Sequence, residues 1–99
     1  MKRPIESNFP KALRSVRKAL GMTQEDFDEV SSRVYVSALE RGIKQPTLPK
    51  VDELAAVMAV HPLTLLALSY CAKPTSGEVK RLFERVLTEL EALQPAEKP

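Results

Sequence analysis

Apolar residues recur along this chain at the spacings of three and four residues that line one face of a helix, and no segment shows the alternation typical of a strand. The first apolar stripe runs from about Phe9 to Leu20. Asn8 or Ser7 can cap its start, Pro10 suits its first turn, and Gly21 favours the left-handed conformation that ends a helix. The sequence therefore predicts an all-α protein that begins with a helix of about three turns.

Further start and stop signals divide the rest of the chain into five more helices. Thr23 with Asp26 and Thr75 with Glu78 have the spacing of a capping box, and His61 stands where a helix cap precedes a proline. The predicted helices are about Gln24–Val30, Arg33–Arg41, Pro49–Met58, Pro62–Ser69 and Ser76–Leu93. A proline ends the last helix, and the tail after it is expected to fray.

The length and composition restrict the protein to one small folded domain. The 99 residues can enclose one core but bury too little surface for two. The hydrophobic fraction of 43% and the charged fraction of 28% are typical of folded soluble chains. No run of roughly 18 apolar residues is present to cross a bilayer, and no apolar stretch follows Lys2 and Arg3 as it would in a secretory signal. We therefore expect a cytoplasmic protein with no membrane partner.

The residue types needed for metal or catalytic chemistry are scarce. The single cysteine, Cys71, excludes an internal disulfide, and together with the single histidine, His61, it cannot form a structural zinc site. We interpret His61 as a helix cap and Cys71 as a small semi-buried hydrophobe, with redox sensing as the alternative for the thiol. No glycine-rich phosphate loop, paired catalytic carboxylates or serine–histidine constellation is visible. The sequence predicts neither an enzyme nor a bound metal or cofactor.

Charge is distributed unevenly along the chain, although the formal net charge is only +2. The first 24 residues hold one acidic residue, Glu6, against six basic ones: Lys2, Arg3, Lys11, Arg14, Arg17 and Lys18. The next residues are acidic: Glu25, Asp26, Asp28 and Glu29. A basic front segment fits contact with phosphate groups, but an asymmetry of this size is also common in proteins that bind no nucleic acid.

Two short helices joined by a tight turn behind a basic first helix are typical of a helix-turn-helix unit, whose second member enters the major groove of DNA. The segments LRSVRKALGMTQEDF, YVSALERGIKQPTLPKVDELAAVM and VHPLTLLAL, within residues 13–68, resemble the Cro/phage-repressor type of domain, the XRE family. This resemblance implies a five-helix, lambda-repressor-like DNA-binding domain, which we assign to residues 1–72. Residues 73–99 then form a C-terminal amphipathic helix that serves dimerisation, with a frayed tail.

The resemblance also assigns a scaffold pair and a phosphate-facing residue. In the family, the glutamate of a Leu-Glu-Arg-Gly turn ends the recognition helix and pairs with an arginine of the first helix, positions occupied here by Glu40 and Arg17. We interpret the pair as a scaffold that ties the first helix to the third, not as a DNA-reading pair. Gln24 corresponds to the glutamine that faces phosphate at the start of the second helix.

The spacing from Gln24 to Glu40 is two residues shorter than in the family, because the turn at Val30 to Ser32 is shortened. We therefore count the recognition positions back from Glu40 and Gly42, which follow the third helix without a gap. With this count, Ser32 caps the third helix, two residues face the core, and Tyr35 lies at the edge between the core side and the DNA side. The core positions are Val36 and Leu39, and the positions predicted to face DNA are Arg33, Val34, Ser37 and Ala38.

The predicted DNA-facing residues have different chemistry. Arg33 is the leading candidate for base reading, because its guanidinium can donate two hydrogen bonds to guanine. A phosphate contact or a solvated arginine is the alternative. Val34 and Ala38 can touch a thymine methyl or merely permit close approach, and Ser37 can serve either role. Four residues after the recognition helix are predicted phosphate contacts, with ordinary loop residues as the alternative: Lys44, Gln45, Thr47 and Lys50.

The last helix carries an apolar stripe wider than a strict coiled-coil seam: Val79, Leu82, Phe83, Val86, Leu87, Leu90 and Leu93. The stripe must be covered either by the protein's own helices or by the same helix of a second subunit, and we favour a dimer in which it does both. The leading hypothesis is a sequence-specific transcriptional repressor that binds a pseudo-palindrome in double-stranded DNA as a homodimer. The rival is a protein-interaction module, such as an antitoxin or a protein that sequesters another regulator.

Overall fold

The computed structural model of the chain describes residues 5–94, so Lys2, Arg3 and the tail predicted to fray from Pro95 lie outside the described residues. The described part is all-α, as the sequence predicted, and no strand occurs in it. Five α-helices and one short 3₁₀ helix follow one another in the order α1 (Phe9–Ala19), the 3₁₀ helix (Gln24–Phe27), α2 (Arg33–Glu40), α3 (Leu48–Val57), α4 (Pro62–Ser69) and α5 (Ser76–Leu93).

Residues next to the helices mark their starts and ends. Gly21 and Gly42 adopt left-handed φ angles of 70° and 74°, which release the chain from the ends of α1 and α2. Side-chain atoms accept hydrogen bonds from backbone N–H groups in the first turn of each α-helix. These bonds are Lys11 N–H to Asn8 Oδ1 (3.3 Å), Tyr35 N–H to Ser32 Oγ (3.1 Å), Lys50 N–H to Thr47 Oγ1 (3.2 Å), Leu63 N–H to His61 Nδ1 (3.0 Å) and Glu78 N–H to Thr75 Oγ1 (3.2 Å).

The second helix is shorter than the predicted Gln24–Val30, because only the 3₁₀ helix Gln24–Phe27 forms. Asp26 closes its first turn by accepting the Thr23 N–H at 2.7 Å. Phe27 is fully buried, and its carbonyl oxygen accepts the N–H groups of both Val30 and Ser31 at 2.9 Å. The chain therefore turns immediately after the residue that anchors it in the core, since the shortened connection to α2 leaves no room for another helical turn.

The core is formed by α1 to α4 and the 3₁₀ helix. Helix α1 packs against α4 and α2, and α3 packs against α4 and the 3₁₀ helix. Helix α5 contributes no buried residue and packs only against α4 among the described elements. Helix α2, the predicted recognition helix, is therefore part of the core, whereas α5 lies outside the core. The buried core residues are Phe9, Leu13, Phe27, Val36, Leu39, Val51, Leu54, Ala55, Met58 and Leu65.

Within residues 5–94, no single helix is both long and apolar enough to cross a membrane. Helices α3 and α4 meet the length and composition requirements only when taken together, across a bend of 113°. The same part of the chain contains no group of three or more His, Cys, Asp or Glu side chains arranged to hold a metal ion.

Candidate nucleic-acid interface

The predicted scaffold residues Arg17 and Glu40 are in direct contact at the end of the recognition helix α2. Arg17 Nε donates to Glu40 Oε2 at 2.7 Å, and Arg17 Nη2 donates to Glu40 Oε1 at 2.9 Å. The third nitrogen, Nη1, donates to the Met22 carbonyl oxygen at 2.9 Å. Arg17 is only 9% exposed, so its guanidinium is used entirely within the protein. The pair therefore joins α1 to the end of α2 and does not face solvent.

The surroundings of the pair favour its ionised form. Desolvation by burial acts to raise the pKa of the Glu40 carboxyl, but hydrogen bonds from Arg17 and Gln24 and the charge of Arg17 outweigh it, so this pKa lies below its ordinary value. The hydrogen bond to Glu40 is the main reason that the pKa of Arg17 is raised. Both residues are therefore charged at neutral pH.

Gln24 belongs to the same hydrogen-bond network. Its Nε2 donates to Glu40 Oε1 at 3.1 Å, so Glu40 links α1, the 3₁₀ helix and α2. The side-chain amide that we predicted to face phosphate is directed to a protein carboxylate in this arrangement. A network that satisfies every oxygen of a buried carboxylate fixes the relative positions of the elements that contribute to it.

The four residues predicted to face DNA differ in exposure. Arg33 and Val34 are exposed, Val34 to 76%, and Ser37 is half-buried. Ala38 is only 6% exposed, because the chain folds back over it: the Ile43 and Lys44 N–H groups both lie within hydrogen-bond distance of its carbonyl oxygen. This burial disfavours the predicted base contact at Ala38. The two positions predicted for the core, Val36 and Leu39, are fully buried.

Arg33 forms an ion pair that the sequence reasoning did not anticipate. Its Nε lies 2.8 Å from Glu25 Oε1, and both side chains are largely exposed. Glu25 is the second residue of the 3₁₀ helix, so the contact joins that helix to the first residue of α2. The available signal was the acidic run after Thr23 combined with the shortened turn, which brings the two helix starts together.

The predicted phosphate contacts fall into two groups. Lys44 and Gln45 are exposed in the loop after α2, and Thr47 is exposed while its hydroxyl oxygen caps α3. Lys50 is instead engaged by protein groups: its Nζ donates to the Val30 carbonyl oxygen at 2.7 Å, lies 2.7 Å from Glu53 Oε1 and 5.7 Å from the centre of the Tyr35 ring. Lys50 therefore holds α3 to the turn that precedes α2.

One further exposed cation, Arg41, follows the last residue of α2 and was not among the predicted contacts. Its Nε lies 3.4 Å from the Ser37 carbonyl oxygen, which keeps the guanidinium beside the exposed side of α2. We use the term reading surface for the exposed or half-buried residues on this side of α2 and in the loop after it that were predicted to contact DNA, together with Arg41. Its members are Arg33, Val34, Ser37, Arg41, Lys44, Gln45 and Thr47.

The geometry agrees with comparisons to known proteins. The Helix-turn-helix family matches residues 13–65, which cover α1 from Leu13 onward, the 3₁₀ helix, α2, α3 and the first half of α4. The chain is also 35% identical over 68 residues to an uncharacterized HTH-type transcriptional regulator, y4dJ, of Sinorhizobium fredii, a match that covers 67% of this chain and 83% of that protein. No solved structure matches the chain significantly.

Proposed function

This chain belongs to the helix-turn-helix family of DNA-binding transcriptional regulators, a non-enzymatic family, and from that premise we propose that it represses transcription as a homodimer bound to a pseudo-palindromic operator. The observation that carries the proposal is the two-sided character of α2. Val36 and Leu39 are fully buried, while Arg33 and Val34 on the same helix are exposed. A helix fixed in the core with an exposed cationic side is what entry into a major groove requires.

In this proposal, base edges are read from the first five residues of α2. Arg33 donates to guanine O6 and N7, Val34 packs against a thymine methyl, and Ser37 takes either a base or a phosphate. We leave Ala38 out of the proposed base contacts because it is buried. Three reading positions within about one turn of helix match the small number of side chains that such a helix brings to base edges.

The phosphate backbone is contacted mainly by the loop after α2. Lys44, Gln45 and Thr47 are exposed there and carry a cation, an amide and a hydroxyl, all of which can donate to phosphate oxygens. Arg41 adds a second cation next to them. Gln24 and Lys50 contact phosphate in this proposal only if their present hydrogen bonds to Glu40 and Val30 are exchanged for DNA.

Dimerisation is assigned to α5, within the C-terminal segment 73–99, and DNA binding to residues 1–72. Helix α5 buries no residue in the single chain, and five of the seven apolar residues of its stripe remain exposed. Phe83, Val86, Leu87 and Leu90 are each exposed by two fifths or more. A second copy would cover this stripe and supply the two-fold symmetry that a pseudo-palindrome requires. The proposal keeps the predicted cytoplasmic location, because a regulator has to reach DNA.

One observation favours the rival function of a protein-interaction module. Glu25, Asp26, Asp28 and Glu29 are all exposed in the segment that precedes α2, where they would oppose the approach of phosphate groups. An antitoxin or a regulator-sequestering protein has no need of a phosphate-attracting surface at this point. Binding measurements with DNA separate the two functions.

The deciding experiment is selection of bound duplexes from a random pool, followed by a salt titration on the selected duplex and on a scrambled control. We expect a pseudo-palindrome with half-site centres about one turn, roughly 10 base pairs, apart and an affinity that falls steeply with salt. Placing the selected duplex over a promoter should lower expression of a reporter. Failure to enrich any sequence, with no salt-dependent binding to either duplex, would favour the protein-interaction module.

A further inference from the structure

We propose that Glu25 is a positioning residue that sets the base preference of Arg33, an inference that rests on the proposed DNA-binding function. The contact that carries it is the 2.8 Å ion pair between Arg33 Nε and Glu25 Oε1. Glu25 binds the guanidinium at its Nε edge and thereby determines which of its nitrogens face DNA.

The two arginines that contact carboxylates in the helix-turn-helix unit are used differently. All three guanidinium nitrogens of Arg17 have protein partners, Glu40 and the Met22 carbonyl oxygen, and the residue is buried. Arg33 is engaged at Nε and its side chain is 68% exposed. In this proposal its two terminal nitrogens act as a pair of donors, the arrangement that matches guanine O6 and N7 end-on.

The local backbone explains why an acidic partner is needed here. Arg33 is the first residue of α2, where the helix dipole is positive, and the first turn of α2 contains no acidic residue. A cation at this end of a helix is disfavoured unless an anion lies close to it. Because the link between the 3₁₀ helix and α2 is short, Glu25 supplies that anion from outside α2. Removing it leaves Arg33 free to move away from the helix end and to sample other directions.

Glu25 also has an opposite, nonspecific effect on binding. A carboxylate next to the DNA-facing arginine repels phosphate groups, so it lowers affinity for every duplex. The proposal therefore predicts that affinity and base discrimination change in opposite directions when the charge of Glu25 is removed. A carboxylate that acts only through its charge would change affinity alone.

The test uses the full-length protein, the selected operator, and operators that carry a single change at the base pair whose preference depends on Arg33. Glu25→Gln keeps the shape of the side chain and removes its charge. We expect Glu25→Gln to bind a random duplex more tightly and to discriminate at that base pair about two- to fivefold less, the range that an exposed ion pair contributes. Discrimination at the other base pairs should be retained.

The matched control is Glu29→Gln, which removes the same charge from an exposed residue that forms no ion pair with any residue between 5 and 94. It should raise affinity for all duplexes and leave discrimination unchanged. In an Arg33→Ala background, Glu25→Gln should have no further effect on discrimination, because the side chain that it positions is absent.

The outcomes separate this inference from the proposed function. If the wild-type protein discriminates among duplexes but Glu25→Gln discriminates equally well, the positioning role is wrong and the DNA-binding function stands. The same conclusion follows if Glu25→Gln and Glu29→Gln have the same effect on both quantities. If the wild-type protein binds no duplex, the proposed function itself fails, and Glu25 has no base preference to set.

Discussion

Arg17 and Glu40, which are 23 positions apart in the sequence, meet in a two-pronged ion pair with nitrogen–oxygen distances of 2.7 and 2.9 Å. Two parallel contacts fix the angle between the guanidinium and carboxylate planes as well as their separation. Because Arg17 lies on α1 and Glu40 is the last residue of α2, this geometry fixes the end of the recognition helix relative to α1. We therefore expect the pair to affect DNA binding without touching DNA.

Replacing Glu40 with Gln should destabilise the fold, because the buried Arg17 then lacks its carboxylate. We expect a loss on the order of 3 kcal/mol in the free energy of unfolding, measured by chemical denaturation. Affinity for the selected operator should fall because α2 is displaced, while the preferred base sequence stays the same. The double change Arg17→Met with Glu40→Leu should cost less than the sum of the two single changes, since neither charge is left unpaired. Additive losses, or an altered base preference at full stability, would mean that Glu40 acts at the DNA surface.

The pair should also make the stability of the protein depend on pH. The pKa of Glu40 is lower in the folded state than its ordinary value of 4.5, so the folded carboxylate binds a proton less readily than the unfolded one. Its contribution to stability is therefore fully present above that ordinary value and is lost as the pH falls through the folded pKa. We expect the stability advantage of the wild type over the non-titrating Glu40→Gln variant to shrink below about pH 4.5 in acid-titrated denaturation curves. A difference that grows on acidification would contradict this sign.

Lys50 and Lys44 should respond differently to the same substitution. Lys50 Nζ donates to the Val30 carbonyl oxygen at 2.7 Å, so Lys50→Met should lower the free energy of unfolding by about 1.5 to 3 kcal/mol, the value of a hydrogen bond from a charged group. Lys44→Met removes an exposed cation and should leave stability within about 0.5 kcal/mol of the wild type. Full stability of Lys50→Met, with a reduced salt dependence of DNA binding, would instead support the phosphate contact predicted for Lys50.

Arg33 and Lys44 should differ in how they affect sequence preference. Arg33→Ala should relax the preference at one base pair in each half-site by about 1 to 3 kcal/mol, because a two-pronged contact to guanine is lost. Lys44→Ala should weaken binding to all duplexes alike and lower the salt slope by about one unit. Competition binding against singly substituted operators measures both effects. Equal losses of Arg33→Ala on the operator and on a random duplex would reassign Arg33 to a phosphate contact.

Local signals in the sequence were sufficient to predict the α-helices. The predicted bounds of α4 and α5 agree with the observed ones because His61 and Thr75 cap those helices through backbone groups two or three residues away. The 3₁₀ helix was overextended in the prediction, since its end is decided by burial of Phe27 and by the short path to Ser32. A capping pattern specifies where a helix begins, but tertiary packing decides whether it continues.

The contacts of the candidate site also differ in whether the sequence could predict them. The Arg17–Glu40 contact was anticipated from the resemblance to a known family, whose spacing carries information on tertiary structure that composition lacks. The Glu25–Arg33 and Lys50–Val30 contacts were not anticipated, because both depend on how the chain turns between them. The burial of Ala38 likewise depends on the loop that returns over it, and helical periodicity alone does not describe that loop.

The last prediction concerns self-association through α5, whose apolar stripe is largely uncovered in the single chain. Leu90 is 48% exposed on that stripe, and Thr88 is an exposed polar residue of the same helix whose hydroxyl donates to the Glu84 carbonyl oxygen. If the stripe forms the dimer interface, Leu90→Glu should convert the protein to a monomer at micromolar concentration, because a charge in an apolar interface has no partner. Thr88→Glu adds the same charge outside the stripe and should leave the dimer intact. Sedimentation equilibrium distinguishes these results.

A chain truncated before Thr75 provides an independent test of whether α5 forms the dimer interface. Because α5 buries no residue, the shortened chain should keep its helical spectrum and its cooperative unfolding transition while becoming monomeric. Its affinity for the full operator should approach its affinity for one half-site, since the two recognition helices are no longer linked. A truncated protein that remains folded and equally dimeric would show that α5 is not the interface, and the two-fold contact would then have to be sought among α1 to α4.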